Sequence, residues 1–343
     1  MSTLLSTQII ETSDSVVTAL HTTPRNIFIA LDDGTVRVFD AEGGNERLLR
    51  VSEKGAVWAL DTWSEEGREE EEWIAVGGTD CLVGVWRVGN LEKKATLSGH
   101  QMTVRCIATL SSTQVLSGSR DSTLRIWNIN TSTCEAVLEG HTKTIRQIAV
   151  KDNIAVSVSY DSDARVWDLE TKECVHVLKD HTEKLYAVAY DGKRVVTGGM
   201  DKTVRVWDPL SGVCQTVLQG HTSLITFLIP TATDLISTSA GGDMYSWSLD
   251  DYSVKWKVTA HDNSTTALER DKDIIVTGGS DGKVKVWNAR TGAEISELLD
   301  SDAVWQVVIS GQKILALFSR SKQVMMEVSI IPLSERQGGM LVH

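Results

Sequence analysis

Trp127, Trp167, Trp207, Trp247 and Trp287 stand 40 residues apart without a slip, and His141, His181, His221 and His261 keep the same step a fixed distance upstream. A chain with such a period lays down one structural unit repeatedly, and each unit buries its apolar faces only against its neighbours. The frame extends in both directions. Trp86 lies 41 residues before Trp127, and Phe39 takes the Trp place 47 residues earlier still, after an acidic insertion over 65–72. A last, degraded unit begins at Ser301 and reads DAVWQVVISGQKILALFSR, where Trp305 stands as Trp58 stands in GAVWAL. Eight units are therefore expected.

Each unit reads as four short strands. In GHQMTVRCIATLSSTQVLSGSRDSTLRIWNINTSTCEAVLEGH the runs TVRCIA, QVLSG, TLRIW and CEAVL are β-branched or aliphatic and are separated by turn residues, with no competing helical period. The SGSRD stretch supplies Gly, Ser and Asp for a tight turn between the second and third strands. A period of about 40 to 45 residues with Gly-His near its start and Trp-Asp near its end is the signature of a WD-repeat propeller, one four-stranded blade per repeat. The predicted fold class is all-β: a single eight-bladed WD-repeat β-propeller over 1–331 and a C-terminal tail over 332–343. Unpaired strand edges invite aggregation, so the leading segment STQIIET is expected to pair with the final strand QVMMEVSI and close the ring.

His100, Ser117, Asp121 and Trp127 resemble the buried hydrogen-bonded tetrad of such repeats, which ties the turn to the next strand. The same four types recur as His141, Ser157, Asp161, Trp167, as His181, Thr197, Asp201, Trp207, and as His261, Thr277, Asp281, Trp287. In the sixth repeat Gly241 takes the Asp place and breaks the set.

Charge limits the partners. With 34 Lys and Arg against 46 Asp and Glu the formal charge is −12, which argues against general attraction to nucleic acid or an anionic membrane. No apolar stretch approaches the roughly 18 to 20 residues that span a bilayer, and MSTLLSTQII lacks the basic flank of a signal peptide. A soluble chain of the nucleus or cytoplasm is expected, so the sequons at Asn130 and Asn263 carry no weight and the five Cys are expected as thiols. Cys134, Cys174 and Cys214 recur at the repeat period and read as small buried hydrophobes, and Cys81 and Cys106 belong to no C-x-x-C pair. The repeating His residues fall in different blades and lack tetrahedral ligand spacing, so no metal is expected. There is no GxxxxGK[ST] or HExxH, and GGSDGK over 278–283 coincides with a blade turn. Neither catalytic residues nor a cofactor are expected, and the acidic run over 65–72 reads as a solvated loop between first and second strands.

Two places per repeat point to the face where the loops entering the first strand meet the turns leaving the second: the fifth residue after the Gly-His histidine, and the residue before the turn Asp. In blade three these are Arg105 and Arg120, and in blade four Arg146 and Tyr160. Blade five contributes Tyr186 and Met200, with Lys184 two residues before Tyr186 on the same strand face. Blades six and seven offer only Thr226, Ala240, Thr266 and Ser280. Three guanidinium groups on one spot of an acidic protein repel one another unless an anion relieves them, and a guanidinium matches phosphate through two parallel hydrogen bonds.

GHQMTVRC, LSGSRDSTLRIW, GHTKTIRQ, SVSYDSDARVWD and TEKLYAVAYDGKRVVTGGMDKTVRVWD resemble the eight-bladed domain of the cell-division-control type F-box/WD-repeat proteins, substrate receptors of Skp–cullin–F-box ubiquitin ligases, most sharply over 99–208. The resemblance implies binding of phosphodegrons, short segments with phosphorylated Thr or Ser followed by Pro. It places Arg105, Arg120 and Arg146 on the phosphate, Tyr160 and Tyr186 as flanking aromatic contacts and Thr103 as a nearby hydroxyl. It makes Trp58 the wall that receives the Pro and Trp305 a further aromatic at the channel mouth. One departure is Cys81 directly after Asp80, where the family commonly has an Arg. Another is the F-box, a three-helix module expected to be absent from this chain, since only about fifteen residues precede the first blade. The expected function is phosphopeptide recognition, as a substrate receptor for ubiquitin-dependent degradation. Its partners would be phosphorylated proteins and, through an F-box supplied elsewhere, a ubiquitin ligase complex. The alternative is a WD-repeat scaffold that binds unmodified partners.

Overall fold

The computed structural model describes residues 3–10, 15–41, 44–53, 55–65, 68–310, 313–321 and 323–330. All regular structure among them is extended: 32 strands, numbered β1 (Thr3–Ile10) to β32 (Gln323–Ile330) in chain order, form eight four-stranded antiparallel sheets. Seven sheets are made of consecutive strands and give blades one to seven over 17–50, 57–97, 104–138, 145–178, 185–218, 225–259 and 265–300. Blade eight joins β30 (Ala303–Ser310), β31 (Lys313–Arg320) and β32 to β1, in the order β1-β32-β31-β30. The expected pairing of the N-terminal strand is thus present, from Thr3 opposite Ile330 to Ile10 opposite Val324. The expected tail over 332–343 lies outside the described residues.

The chain divides into two compact units, Ser15–Asp40 with Asn45–Leu218, and Met1–Asp14 with Ala41–Gly44 and Gln219–His343. Within the first unit, blades one to five stack through apolar layers. Ala75, Val83 and Val85 of blade two meet Val104, Val115 and Trp127 of blade three. Leu116 and Leu124 then meet Ile145, Ala155 and Trp167, and Val156 and Val166 meet Leu185, Val195 and Trp207. The 40-residue step of the Trp residues is the step of these layers, each filled by an indole from the third strand of the following blade. Second strands such as Gln114–Ser119 and Ile154–Ser159 are buried on both faces, which explains why they carry aliphatic and small residues and no charge. In the second unit Ile236 and Met244 pack on Leu268, Ile275 and Trp287, and Val276 and Val286 on Val304 and Phe318.

In blades three, four, five and seven polar side chains pin the entry loop to the turn. Trp127 Nε1 donates to Ser117 Oγ at 2.7 Å, Ser117 Oγ meets His100 Nε2 at 2.8 Å, and His100 Nδ1 donates to Asp121 Oδ2 at 2.8 Å. That oxygen also takes the Gln101 amide at 2.9 Å. Blades four, five and seven repeat the chain through His141, Ser157, Asp161 and Trp167, through His181, Thr197, Asp201 and Trp207, and through His261, Thr277, Asp281 and Trp287. Burial alone would raise these carboxyls, but the hydrogen bonds they accept from His and from backbone amides reverse the shift and hold Asp161 and Asp201 at about 2. In blade six His221 Nε2 meets Ser237 Oγ at 2.7 Å and Trp247 Nε1 donates to it at 2.8 Å, while Gly241 offers no carboxylate.

Two expectations are corrected. The acidic run is not a loop: β6 (Val57–Glu65) and β7 (Arg68–Gly78) form an extended hairpin in which Trp63 faces Trp73, their rings stacked at 6.4 Å. Two of its charges are engaged in the sheet: Glu71 pairs with Arg87 at 2.9 Å, and buried Glu72 accepts from Asn26 Nδ2, whose amide oxygen accepts from Arg47. Cys134, Cys174 and Cys214 are half-buried rather than buried, with Arg125, Arg165 and Arg205 Nη1 at 3.8, 3.7 and 3.9 Å from their sulfurs. Cys106 is buried, and burial pushes its thiol up to about 12.

Candidate functional site

The fifth residue after each Gly-His histidine occupies a β-bulge. Pairing shifts register between Val104 and Cys106, Ile145 and Gln147, and Leu185 and Ala187, leaving Arg105, Arg146 and Tyr186 out of the ladder. Trp58 occupies the same bulge between Val57 and Ala59. A bulge inserts one unpaired residue and re-aims its side chain, so an inner strand that otherwise lines a packed blade turns one residue per blade toward the strand's entry end. Backbone bonds fix the second position just as regularly. The Arg120, Tyr160 and Met200 amides donate to the Thr103, Thr144 and Lys184 carbonyls at 2.9, 3.0 and 2.9 Å. Both predicted positions of a blade are thereby held at one end of its sheet.

Eight of the nine expected peptide-binding residues lie in the first unit. The Arg105 guanidinium sits 4.5 Å from the centroid of Trp58, which is 36% exposed. Burial, then the charge of Arg146, with Arg120 adding, lowers the pKa of Arg105. The three cations therefore act on one another, and none is neutralised by an ion pair at 4.0 Å or less among the described residues. Tyr160 and Tyr186 stand with ring centroids 5.1 Å apart, and Lys184 Nζ is 5.3 Å from the Tyr160 centroid. Burial and the Tyr160 hydroxyl raise the pKa of Tyr186, so that phenol is neutral at pH 7. Lys184 is exposed and precedes its strand (Leu185–Tyr190), so loop position rather than strand alternation brings it to Tyr160. Thr103 is half-buried and Arg120 exposed. Trp305, half-buried on the bulge between Val304 and Gln306, belongs to the second unit.

Thr79 and Met102 escaped the sequence reading. Thr79 donates its amide to the Ala56 carbonyl at 3.0 Å and so takes blade two's place beside the turn, a position its offset from Asp80 marks. Met102 and Met200 are 45% and 39% exposed. Cys81 has φ of +65°, as the corresponding Ser122, Ser162 and Lys202 have +72°, +76° and +66°. Burial, Asp80 and Asp121 raise its pKa, so a neutral thiol stands where an Arg was expected.

Residues 91–128, 132–168, 172–208 and 253–288 match the WD domain, G-beta repeat family. The chain carries WD repeats. The four matched stretches end on the four WD repeats whose tetrads are complete. Over 96 residues the chain is 27% identical to cell division control protein 4 of Saccharomyces cerevisiae, a match covering 27% of this chain and 12% of that protein. It is 29% identical over 96 residues to nuclear distribution protein nudF of Emericella nidulans, covering 27% of this chain and 20% of that protein. The crystal structure of the computationally designed Ika8 protein superposes with a TM-score of 0.84 at 27% identity, over 94% of this chain and 98% of that one. The fold class is that of an eight-bladed β-propeller.

Proposed function

We propose that this WD-repeat chain recognises phosphorylated peptides through Arg105, Arg120 and Arg146, and that it selects substrates for ubiquitin-dependent degradation. The observation that carries the reading is a cationic cluster without an ion pair among the described residues, in a chain of formal charge −12, with one guanidinium 4.5 Å from the centroid of an indole. Trp58 fixes Arg105 without consuming its N–H donors, which leaves them for an external anion. A phosphoryl group brings about −1.5 to −2 charges and three acceptor oxygens, enough for guanidinium groups arriving from two blades. Tyr160 and Tyr186 supply apolar ring surface beside the anion for the extended peptide. The link to ubiquitination rests on the resemblance to F-box/WD-repeat receptors and on the 96-residue similarity to cell division control protein 4.

A scaffold that binds unmodified partners is the second reading, favoured by the exposed Met102 and Met200 in the entry loop of blade three and the turn of blade five. Isothermal titration with phosphorylated and unphosphorylated forms of one peptide separates the two. Co-purification of a Skp adaptor with the full chain tests the ubiquitin link.

A further inference from the structure

We infer that blade six carries a carboxylate-binding site between His221 and Gly241, where an external carboxylate takes the place of the Asp that completes the other tetrads. The argument compares the chain with itself. In blades three, four, five and seven one carboxylate accepts both the His Nδ1 proton and the next residue's amide: Gln101 at 2.9 Å, Thr142 at 2.9 Å, Thr182 at 3.3 Å and Asp262 at 3.1 Å. In blade six Gly241 provides none, and His221 Nδ1 is buried with no hydrogen-bond partner among the described residues.

The orphan nitrogen is a donor. In the complete tetrads Nδ1 faces a carboxylate and so carries the ring proton, leaving Nε2 to accept from the hydroxyl. The same assignment in blade six has Ser237 Oγ accept from Trp247 Nε1 and donate to His221 Nε2, with the ring proton on Nδ1. The ring is also fixed in place. Tyr245 packs edge-on to it at 4.5 Å, lies stacked on Trp247 at 5.0 Å and anchors its hydroxyl to the Gly220 carbonyl at 2.8 Å. His221 is 7% exposed and buried deep enough that its pKa falls to about 4, so it presents a neutral N–H at pH 7. An unsatisfied buried donor of this kind destabilises the fold, and a ligand that accepts from it recovers that loss.

Gly241 is exposed on the side of the missing side chain, and the three atoms nearest a Cβ there all belong to side chains: Ser223 Cβ at 3.3 Å, which would have to give by a few tenths of an ångström, Thr222 Oγ1 at 3.5 Å and Ser239 Oγ at 3.6 Å. The rim is thus made of hydroxyl-bearing residues. Lys257, with Nζ 5.0 Å from the Tyr245 centroid and 3.9 Å from Asp243 Oδ1, adds a cation close enough to act on His221. An imidazole nitrogen and the amide of the residue after it are what Asp121 and Asp161 bind in their own blades, so the ligand class is a carboxylate, free or on an acidic side chain.

The test is a titration of the full chain, with histidines labelled for nitrogen and proton resonance, against sodium acetate and separately against an Asp-bearing peptide and its Asn counterpart, with sodium chloride as control. Saturable movement of the His221 Nδ1 signals, with thermal stabilisation beyond that in chloride, is expected. Gly241→Asp, which fills the place from within, should abolish the response. A response to acetate assigns a small carboxylate, and one to the Asp peptide alone assigns a partner's side chain. Signals that stay still with every probe, or an equal acetate response in the wild type and Gly241→Asp, overturn the proposal. Should that variant not fold, the wild-type titration still decides.

Discussion

Replacing Asp161 by Ala removes the acceptor at the centre of blade four's polar chain. Its carboxylate takes His141 Nδ1 at 2.8 Å, the Thr142 amide at 2.9 Å and the Asp163 amide at 3.0 Å, with only 6% of the side chain exposed. Leaving the buried His141 donor unsatisfied costs about 1–3 kcal/mol. The acidity of the group gives an independent magnitude: a carboxyl held at about 2 rather than 3.8 corresponds to roughly 2.5 kcal/mol of folded-state stabilisation at neutral pH, at 1.36 kcal/mol per tenfold change in acidity. The two figures agree. Because the folded-state value is depressed, the contribution is complete above pH 4 and disappears as pH falls through about 2. It is already roughly halved at pH 3. Urea unfolding of wild type and Asp161→Ala, followed at pH 7 and again at pH 3, should show a gap of about 2 kcal/mol that narrows by half. Coincident urea midpoints at pH 7, or a gap that does not narrow, would refute the reasoning.

Deleting residues 1–12 strips β1 from β32 and exposes the edge of blade eight, so the truncated chain should aggregate or melt at a markedly lower temperature. A monomeric elution profile with an unchanged melting curve contradicts this. Cys81→Arg should raise phosphopeptide affinity about fivefold, because a charged group replaces a neutral thiol beside the cluster. The backbone there already accepts a long cationic side chain, as Lys202 shows at the same φ in blade five. Titration with one phosphopeptide checks it, and an affinity equal to or below wild type places residue 81 outside the site.

The repeat, the strands and the tetrads were legible in the sequence because each rests on a fixed spacing. Trp127, Trp167 and Trp207 recur at the step of the apolar layers they fill, and that regularity survives one broken repeat at Gly241. The eighth blade was legible through Trp305 alone, at the bulge that Trp58 occupies in blade two. What the sequence left hidden depends on departures from regular strands. Nothing in VRC, IRQ or LYA marks a bulge, yet bulges turn Arg105, Arg146 and Tyr186 out of the ladder. The run REEEEW reads as solvated because its charges dominate its composition, whereas Arg87 and the pair Asn26 and Arg47 absorb Glu71 and Glu72 within the sheet. The half-buried Cys134, Cys174 and Cys214 looked fully apolar because their Arg neighbours lie 9 residues away on the adjacent strand.

The central claim is that Arg105, Arg120 and Arg146 form an anion receptor for phosphorylated segments. Isothermal titration of the full chain with one Thr-Pro peptide, phosphorylated and not, tests it most directly. Charge-assisted hydrogen bonds of about 1.5–3 kcal/mol each predict that loss of the phosphate costs about tenfold or more, that Arg105→Ala or Arg146→Ala costs nearly as much, and that added salt weakens binding. Equal affinities for the two peptides, or full phosphopeptide affinity in the Arg105→Ala and Arg146→Ala variants, would contradict it.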